Sequence, residues 1–319
     1  MKIVILDGFA VNPGDLDWSF LAEFGSYEVY HQTPPAMVIE RLRDADMAVT
    51  NRVKITREVI AACPKLRFLS AFGTGYDMID VSACREAGIE VCNIPGYSTV
   101  SVAQLAFTLL LSLTTDIHGY RRAVREGHWT GQPDFYYPAI SFTELAGKTV
   151  GVYGCGAIGG RFAALCAAFD MRVLAYRRSA VLGEADGLTY VTAEQLLAES
   201  DVISIHCPLT EETRGLVDAS FLAAMKPGSY LINTSRGAVI DETALYEALV
   251  SGHLAGAALD VMTKEPPAPD NPLLTLDSCM ITPHCAWTSR EARERLIGIL
   301  SENMRAFVAT GQGIHRVFG

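Results

Sequence analysis

KTVGVYGCGAIGG, running from Lys148 to Gly160, is the stretch on which the fold of this chain turns. Thr149 to Tyr153 alternates and is rich in β-forming residues, so it reads as a short strand. It runs directly into Gly154-Cys155-Gly156-Ala157-Ile158-Gly159, and then into Arg161 to Phe169, an Ala-, Leu- and Phe-rich stretch that reads as a helix. Strand, glycine turn and helix in that order are what a dinucleotide pyrophosphate requires. Gly154 permits the tight turn, Gly156 lets backbone approach the phosphates, and Gly159 lets helix and strand pack closely. The helix N-terminus, with Ala157 and Ile158 leading into it, offers unbonded N–H groups and the positive end of a dipole to the anion. Glycines also cluster in ordinary turns; the flanking strand and helix are what give this cluster its meaning.

The next strand bears on which dinucleotide is held. Met171 to Tyr176 (MRVLAY) reads as that strand, and an NAD site usually carries an acidic residue just past it, bonded to the ribose hydroxyls. Here the chain reads Arg177-Arg178-Ser179. A carboxylate would repel a 2′-phosphate, whereas two guanidiniums and a hydroxyl attract one. The sequence therefore favours NADP(H) over NAD(H), the plainer alternative being arginines that are merely solvated.

Composition bounds the rest. A chain of 319 residues is long for one core and suggests two domains. Half of the residues are hydrophobic, ample for burial. The net charge of −10 argues against nucleic acid as a partner, so an anionic substrate needs locally focused positive charge. The N-terminus MKIVILDGFA meets Asp7 after a short apolar run and does not read as a signal peptide. The longest apolar stretch, Val102 to Leu113, is shorter than a membrane span and carries Gln104, Thr108 and Ser112. The eight cysteines include no CxxC pair and no zinc-like Cys/His grouping, so no metal is expected. Several sit in apolar segments as small core residues, which suits a reduced, cytoplasmic protein.

Strands and helices alternate from end to end. Ahead of the glycine turn, Ile3–Leu6, Tyr27–Tyr30, Met47–Thr50, Phe68–Ala71 and Glu90–Asn93 read as strands, with helical stretches such as Pro35–Arg43 and Ser82–Ala87 between them. After it come strands near Val202–Ile205, Tyr230–Asn233, Gly256–Asp260 and Met280–Thr282. Such alternation implies an α/β protein of two doubly wound parallel-sheet domains, the second a Rossmann dinucleotide-binding domain. One long helical pattern, Val100 to Glu126, bridges them, and a last helix, Arg290 to Thr310, is long enough to return to the first. The expected division is residues 1–99 with 289–319 for substrate, and 100–288 for the dinucleotide.

Chemistry is expected on the loops after the strands of the second unit, where open α/β sheets bind ligands. Arg236 lies in NTSRG with Gly237 beside it, Glu265 in LDVMTKEPP, and His284 in ITPHCAW behind Pro283. Singly, these read as a surface charge, a solvated carboxylate and a satisfied loop histidine. At three strand C-termini beside a dinucleotide turn, they can converge above a nicotinamide.

The order of that turn, HCPLTEETRGLVD (206–218), INTSRGAVID (232–241), LDV (259–261), EPP and ITPH resembles the D-isomer-specific 2-hydroxyacid dehydrogenase family over nearly the whole chain. LDGFAVNPGDLDW, FGTGYDMIDV (72–81), IPGYSTVSVAQ (94–104) and Trp287 in PHCAW resemble its hydroxypyruvate reductase/glycerate dehydrogenase branch. The departures are the two arginines where Asp is common, Gln104 where the family often has Glu, and Ser235 where Ala is usual. The first bears on cofactor choice.

The resemblance implies hydride transfer between NAD(P) and a small 2-keto or 2-hydroxy acid. His284 would protonate the forming alkoxide, Glu265 would favour its charged form, and Arg236 would fork onto the substrate carboxylate. Thr74 and Gly75, in the turn Thr74-Gly75-Tyr76, resemble the family's backbone-amide site for the same carboxylate. Asp260 resembles the residue that orients the nicotinamide amide. His206, Cys207, Pro208, Thr213, Thr234, Ser235, His284 and Trp287 lie where the family touches the cofactor. The family also implies closure about hinges near Ser98–Val102 and Trp287–Glu291. It implies a homodimer too, formed through the Val100–Glu126 helix and the loop near Trp129 to Tyr137.

Other readings on the same fold are a phosphite-type dehydrogenase, a dinucleotide-sensing binding module and a phosphoglycerate dehydrogenase. Glu265 argues against a formate dehydrogenase, which pairs the histidine with Gln. A phosphoglycerate dehydrogenase often carries a regulatory extension, and this chain ends at Gly319 without one.

Overall fold

β1 (Lys2–Ile5), β2 (Ser26–Val29), β3 (Met47–Thr50), β4 (Phe68–Ala71) and β5 (Glu90–Cys92) pair in parallel in the order β2-β1-β3-β4-β5. β3, β4 and β5 are buried along their whole length, as expected of a parallel sheet covered on both faces, and carry Thr50, Ser70 and Glu90 as their only polar residues. The computed structural model describes residues 1–137, 142–185 and 187–318. It divides into two compact units, Met1–Ser98 with the segment from Thr288 onward, and Thr99–Trp287.

In the first unit the C-terminal helix Arg290–Thr310 starts at Ser289, whose hydroxyl accepts the Ala292 N–H at 3.2 Å. It ends at Gly311, whose φ of 80° suits the glycine that closes many helices. Its inner face sets Phe307 against Phe68 with ring centroids 5.0 Å apart. The Arg293 guanidinium forks onto Asp15 with two bonds of 2.7 Å, so a largely buried cation is fully paired.

The second unit is an eight-stranded sheet of β6 (Thr149–Tyr153), β7 (Arg172–Tyr176), β8 (Gly183–Ala185), β9 (Leu188–Tyr190), β10 (Val202–Ile205), β11 (Ser229–Asn233), β12 (Leu254–Leu259) and β13 (Cys279–Ile281). Its order is β13-β12-β11-β10-β6-β7-β9-β8. Every pairing is parallel except β8 with β9. That antiparallel edge hairpin is absent from the sequence reading, because β8 is three exposed residues with no apolar period to show. Chain order leaves β6 toward β7 and β9 on one side and returns to β10 on the other. The strand order therefore reverses at the end of β6, at the glycine turn.

The helical run expected from Val100 to Glu126 is two helices, Thr99–Thr115 and Ile117–Arg125, bent by 55°. Asp116 makes the break. It sits at φ 44° and its carboxylate accepts the Gly119 N–H at 2.9 Å, capping the second helix. Much of the apolar face of the first helix is used inside its own unit: Phe107 lies 4.8 Å from Phe169 and 6.5 Å from Phe162. Among the described residues no single helix is long and apolar enough to cross a membrane.

A candidate active site at the strand ends of the second unit

The glycine turn is built as the residue types require. Gly154 has φ 97°, and a Cβ there would stand 2.5 Å from the Cys207 nitrogen and 2.7 Å from the His206 carbonyl carbon. Only glycine lets the loops after β6 and β10 touch. A Cβ on Gly159 would meet the Gly154 oxygen at 2.7 Å, so the helix Ala157–Ala167 and its strand pack at backbone distance. Gly156 differs: it is extended, heads that helix, and a Cβ there would meet nothing within 4 Å. The N–H groups of Ala157, Ile158 and Gly159 open the helix beside this vacant space, which fits a pyrophosphate.

Past β7 the two arginines part company. Arg177 lies over the Tyr190 ring, 5.7 Å from its centroid. Arg178 forms an ion pair with Glu212 in the loop after β10. Ser179 follows in an exposed turn.

On the other side of β6, the His206 ring hydrogen-bonds Ser204 at 2.8 Å and packs against Phe162 at 5.2 Å. Although the residue keeps some accessible surface, burial of the ring pushes it down to about 4, so it is neutral. Cys207 is buried, and burial pushes its thiol up to about 11. The Thr213 hydroxyl accepts the Thr210 N–H and donates to the Pro208 carbonyl, both at 2.7 Å, which fastens this loop to itself.

The three strand ends beyond carry the ionisable groups. Glu265 Oε2 lies 2.8 Å from His284 Nδ1, and Glu265 Oε1 accepts the Met262 N–H at 3.1 Å. One carboxylate thus fixes both its own loop and the histidine ring. Arg236 follows β11 in extended backbone, and Asn233 holds the turn: Nδ2 donates to the Arg236 carbonyl at 3.0 Å, and Oδ1 accepts the Ser235 N–H at 2.9 Å and hydroxyl at 2.8 Å. A Cβ on Gly237 would stand 2.0 Å from the Met262 carbonyl carbon. The loops bearing Arg236 and Glu265 are therefore in backbone contact.

Asp260, 1% exposed, does more here than the sequence suggests. Its Oδ1 accepts the Thr282 hydroxyl at 2.6 Å and the Cys285 N–H at 2.9 Å, and its Oδ2 accepts the Ala286 N–H at 2.9 Å. It clamps the loop in which His284 adopts φ 53°, a left-handed conformation uncommon for a side chain of this size. Nothing in the sequence pattern marks this role, since an Asp ending a strand is equally a turn residue. Tyr190, Glu212 and Asn233 were missed likewise, each being one polar residue at a strand end or in a loop.

The Thr234 hydroxyl is buried and has no hydrogen-bond partner among the described residues. It lies in the turn between β11 and Arg236, where a bound group could satisfy it. Trp287 ends the unit. Thr74 and Gly75 belong to the first unit, at the end of β4, where the Thr74 hydroxyl donates to the Ile94 carbonyl at 3.1 Å and the Thr74 carbonyl accepts from Asn93 at 2.8 Å.

A glycine turn at a strand-order reversal, with an acid–histidine pair on neighbouring strand ends, is the form of a dinucleotide-linked dehydrogenase. The family model for the NAD-binding domain of D-isomer-specific 2-hydroxyacid dehydrogenases matches residues 107–286. The chain is 43% identical over 313 residues to a hydroxypyruvate reductase of Blautia hydrogenotrophica, covering 97% of each. Among solved structures, an acyclic imino acid reductase in complex with NADPH and D-Arg is 33% identical, with TM-score 0.88 over 100% of both chains. An NADPH-dependent glyoxylate/hydroxypyruvate reductase of Sinorhizobium meliloti, in complex with NADP and malonate, is 30% identical, with TM-score 0.85 over 99% of this chain and 96% of that one. The chain belongs to the D-isomer-specific 2-hydroxyacid dehydrogenase family.

Proposed function

We propose that this chain is an NAD(P)-dependent reductase of a small 2-keto acid such as hydroxypyruvate or glyoxylate, yielding the D-2-hydroxy acid. The observation that carries the reading is the 2.8 Å pair between His284 Nδ1 and Glu265, beside the Arg236 turn. With Nδ1 facing a carboxylate, the ring's other nitrogen, Nε2, is the one that can donate to a substrate oxygen. A bound nicotinamide would supply the hydride for the carbonyl carbon. His284 gives its proton to the resulting alkoxide, and in the reverse direction takes it back. Arg236 offers a planar fork to the carboxylate and a positive charge toward the keto oxygen. The turn at Thr74 and Gly75 serves the same carboxylate through backbone N–H groups. Gly154, Gly156 and Gly159 with Ala157 and Ile158 hold the pyrophosphate, and the Thr234 hydroxyl, after β11, gains a partner elsewhere on the cofactor.

The cofactor preferred is NADP(H), on Arg177 and Arg178. The first unit is the substrate domain and the second the dinucleotide domain. The chain works as a homodimer in the cytoplasm. The exposed Ile117, Val124, Trp129, Phe135 and Tyr136, clustered within one stretch of the second unit, support pairing of two copies.

The test is a steady-state assay of hydroxypyruvate, glyoxylate, pyruvate, phenylpyruvate and phosphite with NADPH and with NADH. Hydroxypyruvate or glyoxylate should lead the series. Turnover of none of the keto acids would remove the reading, and oxidation of phosphite alone would replace it. NADH used as well as NADPH at low salt would return the cofactor assignment to NAD. Light scattering at micromolar concentration should give twice the chain mass.

A further inference from the structure

The ion pair of Arg178 with Glu212 joins two loops that belong to different strands. Arg178 follows β7 and Glu212 lies in the turn after β10. In the sheet these strands flank β6, so the pair reaches across the end of the strand that carries the glycine turn. That is the crevice in which an open α/β sheet holds its ligand. The neighbouring arginine is held differently. Arg177 lies over the ring of Tyr190, an uncharged partner, 5.7 Å from its centroid. One arginine of the pair is therefore seated on a ring and the other on a carboxylate.

The loop that carries the carboxylate is fastened to itself. Thr213 ties its loop to Pro208 and Thr210, and the Arg214 N–H bonds the Thr210 carbonyl at 3.0 Å. Both side chains of the ion pair are largely exposed, 80% and 71%, so the contact itself holds the fold only weakly and exchanges readily. An anion that takes Arg178 must displace Glu212 and then remain close to it.

We propose that Glu212 is a cofactor-selectivity residue: its carboxylate holds, at Arg178, the place that the 2′-phosphate of NADP(H) takes, and so weakens binding of the phosphorylated dinucleotide. NAD(H) leaves the ion pair closed. The proposal rests on the reading of Arg177-Arg178-Ser179 as the 2′-phosphate site, and it predicts that the native chain is less selective for NADP(H) than two arginines alone would make it. Removing one unit charge from beside a nearly doubly charged phosphate, in surroundings close to water, corresponds to about a tenfold change in affinity at low ionic strength. The change shrinks as salt screens it.

The experiment is calorimetric titration of the full chain with adenosine 2′,5′-bisphosphate and with adenosine 5′-monophosphate, which share the adenosine and differ in the 2′-phosphate. Glu212→Gln should tighten the bisphosphate about tenfold at low salt and leave the monophosphate within about twofold, and the gain should vanish in an Arg178→Gln background. Retained monophosphate binding shows that the pocket is intact in each variant. If Glu212→Gln changes neither ligand while Arg177→Asp abolishes discrimination between them, the phosphate site stands and the role of Glu212 is overturned. If the native chain and Arg177→Asp both bind the two ligands alike, the phosphate site itself is wrong and the proposal goes with it.

Discussion

Replacing Gly237 by alanine tests how the site is assembled, because it touches neither the proton donor nor the cofactor turn. The Cβ would stand 2.0 Å from the Met262 carbonyl carbon, 2.2 Å from its oxygen and 2.4 Å from the Thr263 nitrogen, where ordinary contact begins at 3.4 Å. All three atoms are backbone, so no flexible side chain can swing aside, and the loops after β11 and β12 must part by more than an ångström. Met262 N donates to Glu265 Oε1 at 3.1 Å, and Glu265 in turn holds His284 at 2.8 Å. The displacement therefore reaches Arg236 on one side and the acid–histidine pair on the other. A misplacement of about 1 Å costs on the order of 10²-fold in rate, and overpacking of this kind costs about 1–3 kcal/mol in stability. We expect kcat/KM for the best 2-keto acid to fall about 100-fold, with a lower but still cooperative thermal transition. Dinucleotide affinity should fall much less than kcat/KM, since the 154–159 turn after β6 is untouched and only the cofactor contacts of Thr234, Ser235 and Asp260 shift with the parted loops. The assay is steady-state reduction followed at the nicotinamide absorbance, with fluorescence titration of the cofactor on the same preparation. A Gly237→Ala protein with native kcat/KM would show that backbone contact between these loops does not position the site.

Three further outcomes follow from the same geometry. His284→Ala should lose about 10² to 10⁴ in turnover while binding dinucleotide almost normally, and a variant retaining most of its turnover would remove His284 from the proton transfer. Asp260→Asn should lower kcat/KM and the thermal midpoint together, because it weakens charge-assisted bonds to Cys285, Ala286 and Thr282 that are each worth about 1.5–3 kcal/mol; an unchanged midpoint would contradict the clamp. His206 is held neutral by burial, pushed down to about 4, so the unfolded chain binds the extra proton first as pH drops. Its contribution to stability is complete above the ordinary histidine range and is lost as pH falls toward about 4. The native chain should therefore lose more denaturant resistance between pH 7 and pH 5 than His206→Gln does, and equal losses would show that the ring is not buried in the folded protein.

Strand positions in both sheets could be read from sequence because buried parallel strands are short runs of mostly apolar and β-forming residues. Met47–Thr50, Phe68–Ala71, Thr149–Tyr153 and Val202–Ile205 fall on β3, β4, β6 and β10 residue for residue. The β8–β9 hairpin and the break at Asp116 could not be read that way. The first is too short and too exposed to carry a period, and the second depends on a left-handed residue that an unbroken helical pattern conceals. In the candidate site, the glycine spacing, Arg236, Glu265 and His284 were legible because each residue type is tied to a chemical task and lies after a recognisable strand. The pairing of Glu265 with His284 was expected from the family resemblance alone, and the partners of the other groups were not legible at all. That Asp260 clamps the histidine loop, that Gly237 lets two loops touch, and that Glu212 rather than solvent meets Arg178 are relations between residues 25 to 34 positions apart. Local pattern determines which face of an element is buried. Which loop ends meet is decided only when the strands take their order in the sheet, and here that order sets β6 between β7 and β10 and so brings Arg178 to Glu212.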